Sequence, residues 1–201
     1  MKKQEIAAYF DRAAADWDAG MVRSDALIAE ILDGARVCAG KDVLDVACGT
    51  GVLISDCLAH GAASVTGIDL SQEMARIARE KFAAEPRVTI LCGDAEELGG
   101  PPRFDCIVLY NAFPHFPDPQ RLLRALTALL RPNGTLTVAH GMSRARIDRH
   151  HEGGASRVSR SLLHEKVLAA LFELSGLEVT LRVSDERHYQ VTGVLPERKK
   201  R

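Results

Sequence analysis

Gly49 and Gly51 close the run Val43-Leu44-Asp45-Val46-Ala47-Cys48-Gly49-Thr50-Gly51, where an apolar segment breaks into a turn before a helical pattern begins. Glycine at such a turn lets the backbone bend sharply and leaves no side chain between it and a bound molecule. The N–H groups at a helix start beyond Gly51 would face a polar or anionic ligand. A loop with a purely structural purpose uses the same residues, so the pair alone leaves both readings open. The next apolar run ends in Gly67-Ile68-Asp69, 18 positions beyond Gly51. A carboxylate at that point can accept two ribose hydroxyls; its alternative role is to cap the helix that opens at Ser71. Together the two elements point to a nucleotide-type ligand.

The kind of nucleotide is narrowed by what is missing. The dinucleotide fingerprint needs a third glycine for close helix–strand packing, and Ile54 occupies that position. No phosphate-loop lysine follows the turn, and Tyr110 is followed four residues later by Pro114 where a short-chain reductase would need lysine. Nicotinamide and ATP chemistry both fall.

A second concentration of reactive side chains lies further on. Five arginines and three histidines fall between His140 and Arg160, beside only Asp148 and Glu152. Arg144 and Arg146, with His150, would suit a carboxylate or phosphate on a substrate, because guanidinium binds such groups bidentately. A solvated loop is the plainer reading. His140, His150 and His151 invite a metal, but neighbouring histidines on a helix point about 100° apart and rarely share one ion. No metal is expected, and a metal-handling protein is kept only as a remote alternative.

These groups need a frame. Short Val-, Ile- and Leu-rich runs at 42–47, 64–69, 87–92, 104–110 and 134–140 are strands covered on both faces. Helical patterns at 52–59, 71–82 and 119–130 alternate with them, the last opened by Pro117-Asp118-Pro119 and stopped by Arg131-Pro132-Asn133-Gly134. Such alternation demands a parallel sheet with right-handed crossovers, a doubly wound α/β fold. Two helices, at 3–15 and 24–36, precede the first strand. Residues 178–184 and 188–194 alternate as an antiparallel hairpin around Asp185-Glu186-Arg187.

Composition agrees. The chain has 201 residues, 46% hydrophobic and 26% charged, with a net charge of −1. That supports one domain with its own core, and gives no basic field for nucleic acid or an anionic membrane. No apolar stretch is long enough to span a bilayer, and Met-Lys-Lys-Gln-Glu is not followed by the apolar region of a secretory signal. Five scattered cysteines without a C-x-x-C pair suit a reducing compartment. A cytoplasmic protein, monomeric or homodimeric, is expected.

In order along 40–140, several segments resemble the class I S-adenosylmethionine-dependent methyltransferases. Asp45-Val46-Ala47-Cys48-Gly49-Thr50-Gly51 is similar to their first motif, with Ala47 where the first glycine is general. Gly67-Ile68-Asp69-Leu70-Ser71 resembles the ribose-binding motif, and Cys92-Gly93-Asp94-Ala95-Glu96-Glu97-Leu98 the adenine-binding turn. Phe104–Asn111 and Leu130–Leu136 resemble the later motifs. The look is that of the small bacterial type 11 group, which includes quinone-type C-methyltransferases.

The resemblance implies a Rossmann-like seven-stranded sheet with helices on both faces, and S-adenosylmethionine as cofactor, leaving S-adenosylhomocysteine. It implies Asp45 beneath the methionine amino group, Gly49 and Gly51 near the methionine and ribose, and Asp69 on the ribose hydroxyls. Asp94 would take the adenine amine and Ala95 a ring nitrogen; Leu70 and Met74 would wall the ring, and Ala47 and Asn111 complete the cofactor set. It further implies a helical lid at 1–38, a cofactor-binding core at 40–140, an Arg/His-rich loop at 141–161, and a C-terminal helix and hairpin at 162–195. On the lid, Phe10 reads as a core residue, while Trp17 fits either core or cofactor cover.

Methyl transfer is an in-line displacement in which protein supplies alignment and sometimes a base. His115, beyond the fourth strand, and His140, ending the fifth, are the candidate bases; Phe113 and His115 would also touch substrate. Asn111-Ala112-Phe113-Pro114 departs from the Asn-Pro-Pro-aromatic pattern of base-directed amino methyltransferases, which favours a small-molecule acceptor, possibly anionic. A non-catalytic S-adenosylmethionine sensor is the alternative.

Overall fold

β-branched and leucine-rich runs assemble into the centre of the molecule as seven strands. They are β1 (Asp42–Val46), β2 (Ser64–Asp69), β3 (Val88–Cys92), β4 (Phe104–Tyr110), β5 (Leu130–His140), β6 (Glu178–Ser184) and β7 (Tyr189–Val194). The sheet order is β3-β2-β1-β4-β5-β7-β6. The first four neighbours pair in parallel, and β7 runs antiparallel to both β5 and β6. The order reverses between β1 and β4, so their carboxyl ends flank a crevice, the place where open α/β sheets bind ligands. The computed structural model describes residues 1–151 and 157–197; the side chains of His150 and His151 lie outside that set.

Helices cover both faces. They are α1 (Lys3–Ala13), α2 (Asp25–Gly34), α3 (Ile54–Ala59), α4 (Gln72–Lys81), α5 (Pro119–Thr127), α6 (Arg144–His151) and α7 (Glu165–Leu174). On one face Ile28 and Leu32 of α2 and Ile54 of α3 pack on Val43, Val65 and Val108. On the other, Leu122 and Leu126 of α5 and Phe172 of α7 pack on Leu44, Ile107 and Val138. The caps follow the residue types. Ser71 Oγ accepts from the Met74 amide at 3.1 Å, and Asp118 Oδ1 from the Arg121 amide at 3.0 Å.

Three departures from the expected elements have local causes. α5 ends at Thr127 and β5 begins at Leu130. The Arg103 and Phe104 amides capture the Leu129 carbonyl at 2.9 and 3.1 Å, which draws the chain into the sheet early. Residues 132–134 thus form an irregularity inside β5, with Asn133 at φ 63° and the register shifting between Phe104 and Cys106. Second, α2 is a sheet-facing helix with Ile28, Ile31 and Leu32 fully buried, so only the segment before it can act as a lid. Third, the Arg/His-rich stretch is helical over Arg144–His151. Ile147 anchors it in the core, and Asp148 Oδ1 accepts from the Leu162 amide at 2.9 Å.

Candidate active site

The turn after β1 is braced by the acid that ends β2. Asp69 Oδ2 accepts from the Gly49 amide at 2.8 Å, and its Oδ1 accepts from the Ser71 amide at 2.8 Å. The Cys48 amide donates to the Ile68 carbonyl at 3.1 Å, pinning the turn to β2 from the other side. Ala47, Gly49 and Gly51 all take left-handed φ, at 54°, 56° and 86°. Alanine at the first of these carries a strain that glycine would avoid, on the order of 1 kcal/mol. The chain stays in turn conformation until Leu53, so α3 starts later than the periodicity suggests and spans only six residues.

Asp45 lies beneath this turn, 2% exposed. Among the described residues its Oδ2 has no hydrogen-bond partner. Burial, and then the charge of Asp69, push its carboxyl pKa from 3.8 up to about 8. Burial also raises Asp69, against the opposing pull of the Ser71, Gly49 and Leu70 amides. A buried acid with an open acceptor facing a cavity is a seat for a cationic or N–H-bearing ligand group.

The cavity has a volume of 520 Å³, within the range of small-molecule sites. Of the expected residues, Asp45, Ala47, Gly49, Asp69, Leu70 and Met74 line it, and so do Asp94, Ala95, Asn111 and His115. Asn111 adopts φ 56° at the end of β4, and its Oδ1 accepts from the Gly141 amide at 2.9 Å, which ties the ends of β4 and β5 together.

Other expected residues lie elsewhere. Gly51 is a packing glycine: a Cβ there would stand 2.5 Å from Phe82 Cε2, which fills the space behind the turn. Phe113 is 2% exposed within the core cluster, because its short 3₁₀ segment (Phe113–His115) turns it inward. His140 is 2% exposed and packs edge-on to Tyr189, its registered partner on β7, with ring centroids 6.1 Å apart. Arg144 pairs with Asp148 at 3.6 Å and Arg146 is exposed; neither lines the cavity. His150 closes α6, and its side chain lies outside the described residues. Among the described residues no group of three His, Cys, Asp or Glu side chains is placed to hold a metal ion.

The segment before α2, part of the expected lid, makes contacts that the sequence did not announce. Ile6 and Phe10 of α1 line the cavity, as do Trp17, Met21 and Arg23; Phe10 is thus a wall of the site, not a core residue. This segment places one charged group against each of the three turns that follow β1, β2 and β3. Asp18 accepts from Thr50 Oγ1 at 2.5 Å, Asp11 from Ser71 Oγ at 2.6 Å, and Lys3 pairs with Asp94 at 2.5 Å and with Glu96 at 2.9 Å. Burial disfavours the Lys3 ammonium, but the bonds to Asp94 and Glu96 outweigh it and its pKa rises. The expected lid and Trp17 pointed to this segment, while the apolar i, i+4 pair Ile6 and Phe10 is equally the signature of any amphipathic helix.

His115 is held by the segment after α6. Its Nδ1 lies 2.8 Å from the Val158 carbonyl and 3.2 Å from Ser159 Oγ. A carbonyl only accepts, so Nδ1 carries the proton in the neutral ring and Nε2 is the basic nitrogen. Its ring stands edge-on to Phe10 at 4.9 Å.

Residues 43–134 match the family model described as a methyltransferase domain. The chain is 35% identical over 141 residues to a ubiquinone biosynthesis O-methyltransferase of Coxiella burnetii, covering 67% of this chain and 60% of that protein. A protein of the same name from Xanthomonas campestris is 38% identical over 119 residues, covering 57% of this chain and 47% of the relative. The chain thus spans about half to three-fifths of the length of these relatives. Among solved structures, a Haloferax volcanii putative methyltransferase, in complex with the Trm112 methyltransferase activator, superposes with a TM-score of 0.80 at 22% identity, covering 94% of this chain and 98% of that one. The [4+2]-cyclase SpnF does so with 0.77 at 19%, covering 98% and 97%. Sheet order, turn geometry and sequence relatives agree: residues 43–134 match a methyltransferase domain, set in the fold that these solved structures share.

Proposed function

We propose that this chain transfers a methyl group from S-adenosylmethionine to a small-molecule acceptor. The observation that carries the reading is the open, buried Oδ2 of Asp45 at the cavity floor, which matches the amino group of the cofactor's methionine end. Asp69 fits the ribose end: its carboxylate lines the cavity, held in place by the Gly49 and Ser71 amides, and can accept from ribose hydroxyls. Asp94 is likewise singly engaged at each oxygen, by the Glu96 amide and by Lys3, and retains acceptor capacity for the adenine amine. Leu70, Met74 and Ala95 provide apolar wall around that ring. When bound, the cofactor brings an electrophilic methyl on a sulfonium; the protein's task is alignment and proton removal.

In this reading His115 is the general base, taking the acceptor's proton at Nε2 while Val158 holds the ring. Oxygen is the acceptor atom by analogy with the names of the sequence relatives. The net charge of −1 supports a small molecule over a nucleic acid. Among the described residues no helix is long and apolar enough to cross a membrane.

A regulatory S-adenosylmethionine sensor remains the second reading, since a neighbour titled a cyclase shares this fold and fold does not fix reaction. Calorimetric titration with S-adenosylhomocysteine tests the cofactor. Saturable heat is expected, and its absence from folded protein at millimolar ligand would end both readings. Product formation across an acceptor panel separates enzyme from sensor.

A further inference from the structure

We infer that Arg160 is a positioning residue: it straps the segment after α6 across the His115 loop, and so fixes which ring nitrogen of His115 carries the proton. The inference rests on the reading of His115 as general base. Neither Ser159 nor Arg160 lines the cavity, so their effect on chemistry passes through the histidine. The loop that carries it reads Phe113-Pro114-His115-Phe116-Pro117-Asp118-Pro119. Its three prolines have no N–H, which leaves the loop with more carbonyls than donors of its own. Arg160 supplies donors on both sides of His115. Its backbone amide donates to the Pro114 carbonyl at 2.9 Å, and its Nη1 to the Pro117 carbonyl at 2.5 Å. The second of these is a charge-assisted bond, the stronger kind. The strap is seated at either end: Val158 is buried, and Leu162, also buried, donates its amide to Asp148 of α6 at 2.9 Å.

The strap brings two partners of opposite consequence to His115 Nδ1. The Val158 carbonyl, at 2.8 Å, only accepts; it demands the proton on Nδ1 and leaves a lone pair on Nε2. Ser159 Oγ, at 3.2 Å, is able to donate, which would put the lone pair on Nδ1 and the proton on Nε2. A general base working through Nε2 needs the first arrangement. With Arg160 bonded to both prolines, the carbonyl makes the shorter contact and selects it. A strap released at Arg160 lets that carbonyl withdraw and the neighbouring hydroxyl donate. His115 would then still face the cavity, but with a donor where the base should be.

Nitrogen NMR of protein carrying ¹⁵N-labelled histidine reads the tautomer directly, with no acceptor needed. Spectra are taken in alkaline buffer, where imidazole is ordinarily neutral. The His115→Gln spectrum identifies the His115 signals among the seven histidines. The parent is expected to hold the proton on Nδ1. Arg160→Ala is expected to move the tautomer ratio towards Nε2–H by at least about fivefold, the ratio that one hydrogen bond of ordinary net strength sustains. Arg160→Lys, which can still donate to the Pro117 carbonyl, should recover part of that shift. Adding Ser159→Ala to Arg160→Ala removes the competing donor and should restore Nδ1–H; a double variant that stays at Nε2–H would refute the part given to Ser159. A merely structural role would lower the melting temperature of Arg160→Ala and leave the ratio unmoved. That result overturns the inference, and so does a parent ring protonated on Nε2. Should Arg160→Ala not fold, Arg160→Met keeps the stem, removes the donors and carries the same expectation. The reading beneath fails separately: undiminished turnover in His115→Gln would remove the base and leave the tautomer result standing.

Discussion

Asp11 and Ser71, sixty positions apart, share a 2.6 Å hydrogen bond, and the same Asp11 oxygen accepts from the Glu73 amide at 3.1 Å. The N-terminal helix thus completes the cap of α4, whose first turn borders the cavity through Ser71 and Met74. Asp11→Ala removes a charged acceptor from two donors, one of them on buried Ser71, and should cost about 1–3 kcal/mol in urea unfolding. S-adenosylhomocysteine should bind more weakly in the same variant, because the α1 segment loses one of three attachments. Asp11→Asn keeps an acceptor oxygen and should recover most of the stability. Equal unfolding midpoints for Ala and parent would refute the cap.

The acid under the glycine turn makes the protein pH-sensitive in a defined direction. Asp45 is raised from 3.8 to about 8, so between those values the folded state holds a proton that the unfolded chain has released. Stability contributed by this group is therefore complete below the unfolded value and is lost as pH climbs towards 8. Asp69, also raised, acts with the same sign. A cationic amino group placed on Asp45 selects the ionised form, so cofactor binding near neutral pH should release a proton and tighten as pH rises towards 8. Calorimetry in buffers of different ionisation enthalpy counts that proton. In Asp45→Asn the ligand-free protein should be more stable above pH 6, and the proton release should vanish.

How far the chain announced this site depended on whether a signal was local. The spans of β2 and β4 are continuous apolar runs bounded by polar residues, and their observed ends coincide with the expected ones. Asp69 follows from its place at a strand end, a relationship of neighbours in sequence, whereas Asp45 and Asp94 are reached only through the motifs that resemble the methyltransferases. Lys3 and Asp94 are 91 positions apart, and nothing in either's surroundings names the other. The arginine-rich stretch misled for the opposite reason. Its composition suggested a binding lip, but Ile147, a single apolar residue among charges, decides which face turns to the core, and Arg144 and Arg146 are carried away from the cavity.

Gly51 shows the same limit within the motif itself. A turn glycine and a ligand-facing glycine are identical in sequence; only the position of Phe82 separates them. Gly51→Ala should destabilise the fold by ~1–3 kcal/mol, through left-handed strain and the clash with that ring. The loss should persist when measured without ligand. Combining it with Phe82→Leu relieves the clash and should return part of the stability, leaving the strain. A Gly51→Ala protein that melts normally but fails to bind S-adenosylhomocysteine would restore the ligand-facing role.

His115 and the α6 arginines make opposite predictions for turnover. Lining the cavity, with Nδ1 fixed on the Val158 carbonyl, His115 can reach an acceptor through Nε2. Once an acceptor is in hand, His115→Gln should lower kcat by about 10²–10⁴-fold if its proton transfer lies in the rate-limiting step. S-adenosylhomocysteine affinity should hardly move, because the contacts proposed for the cofactor lie with Asp45, Asp69 and Asp94. Arg144→Ala and Arg146→Ala should leave both kcat and KM within about twofold, since surface changes away from special features have small effects. A large KM increase in either arginine variant would place the acceptor against α6 and displace His115 from the reaction.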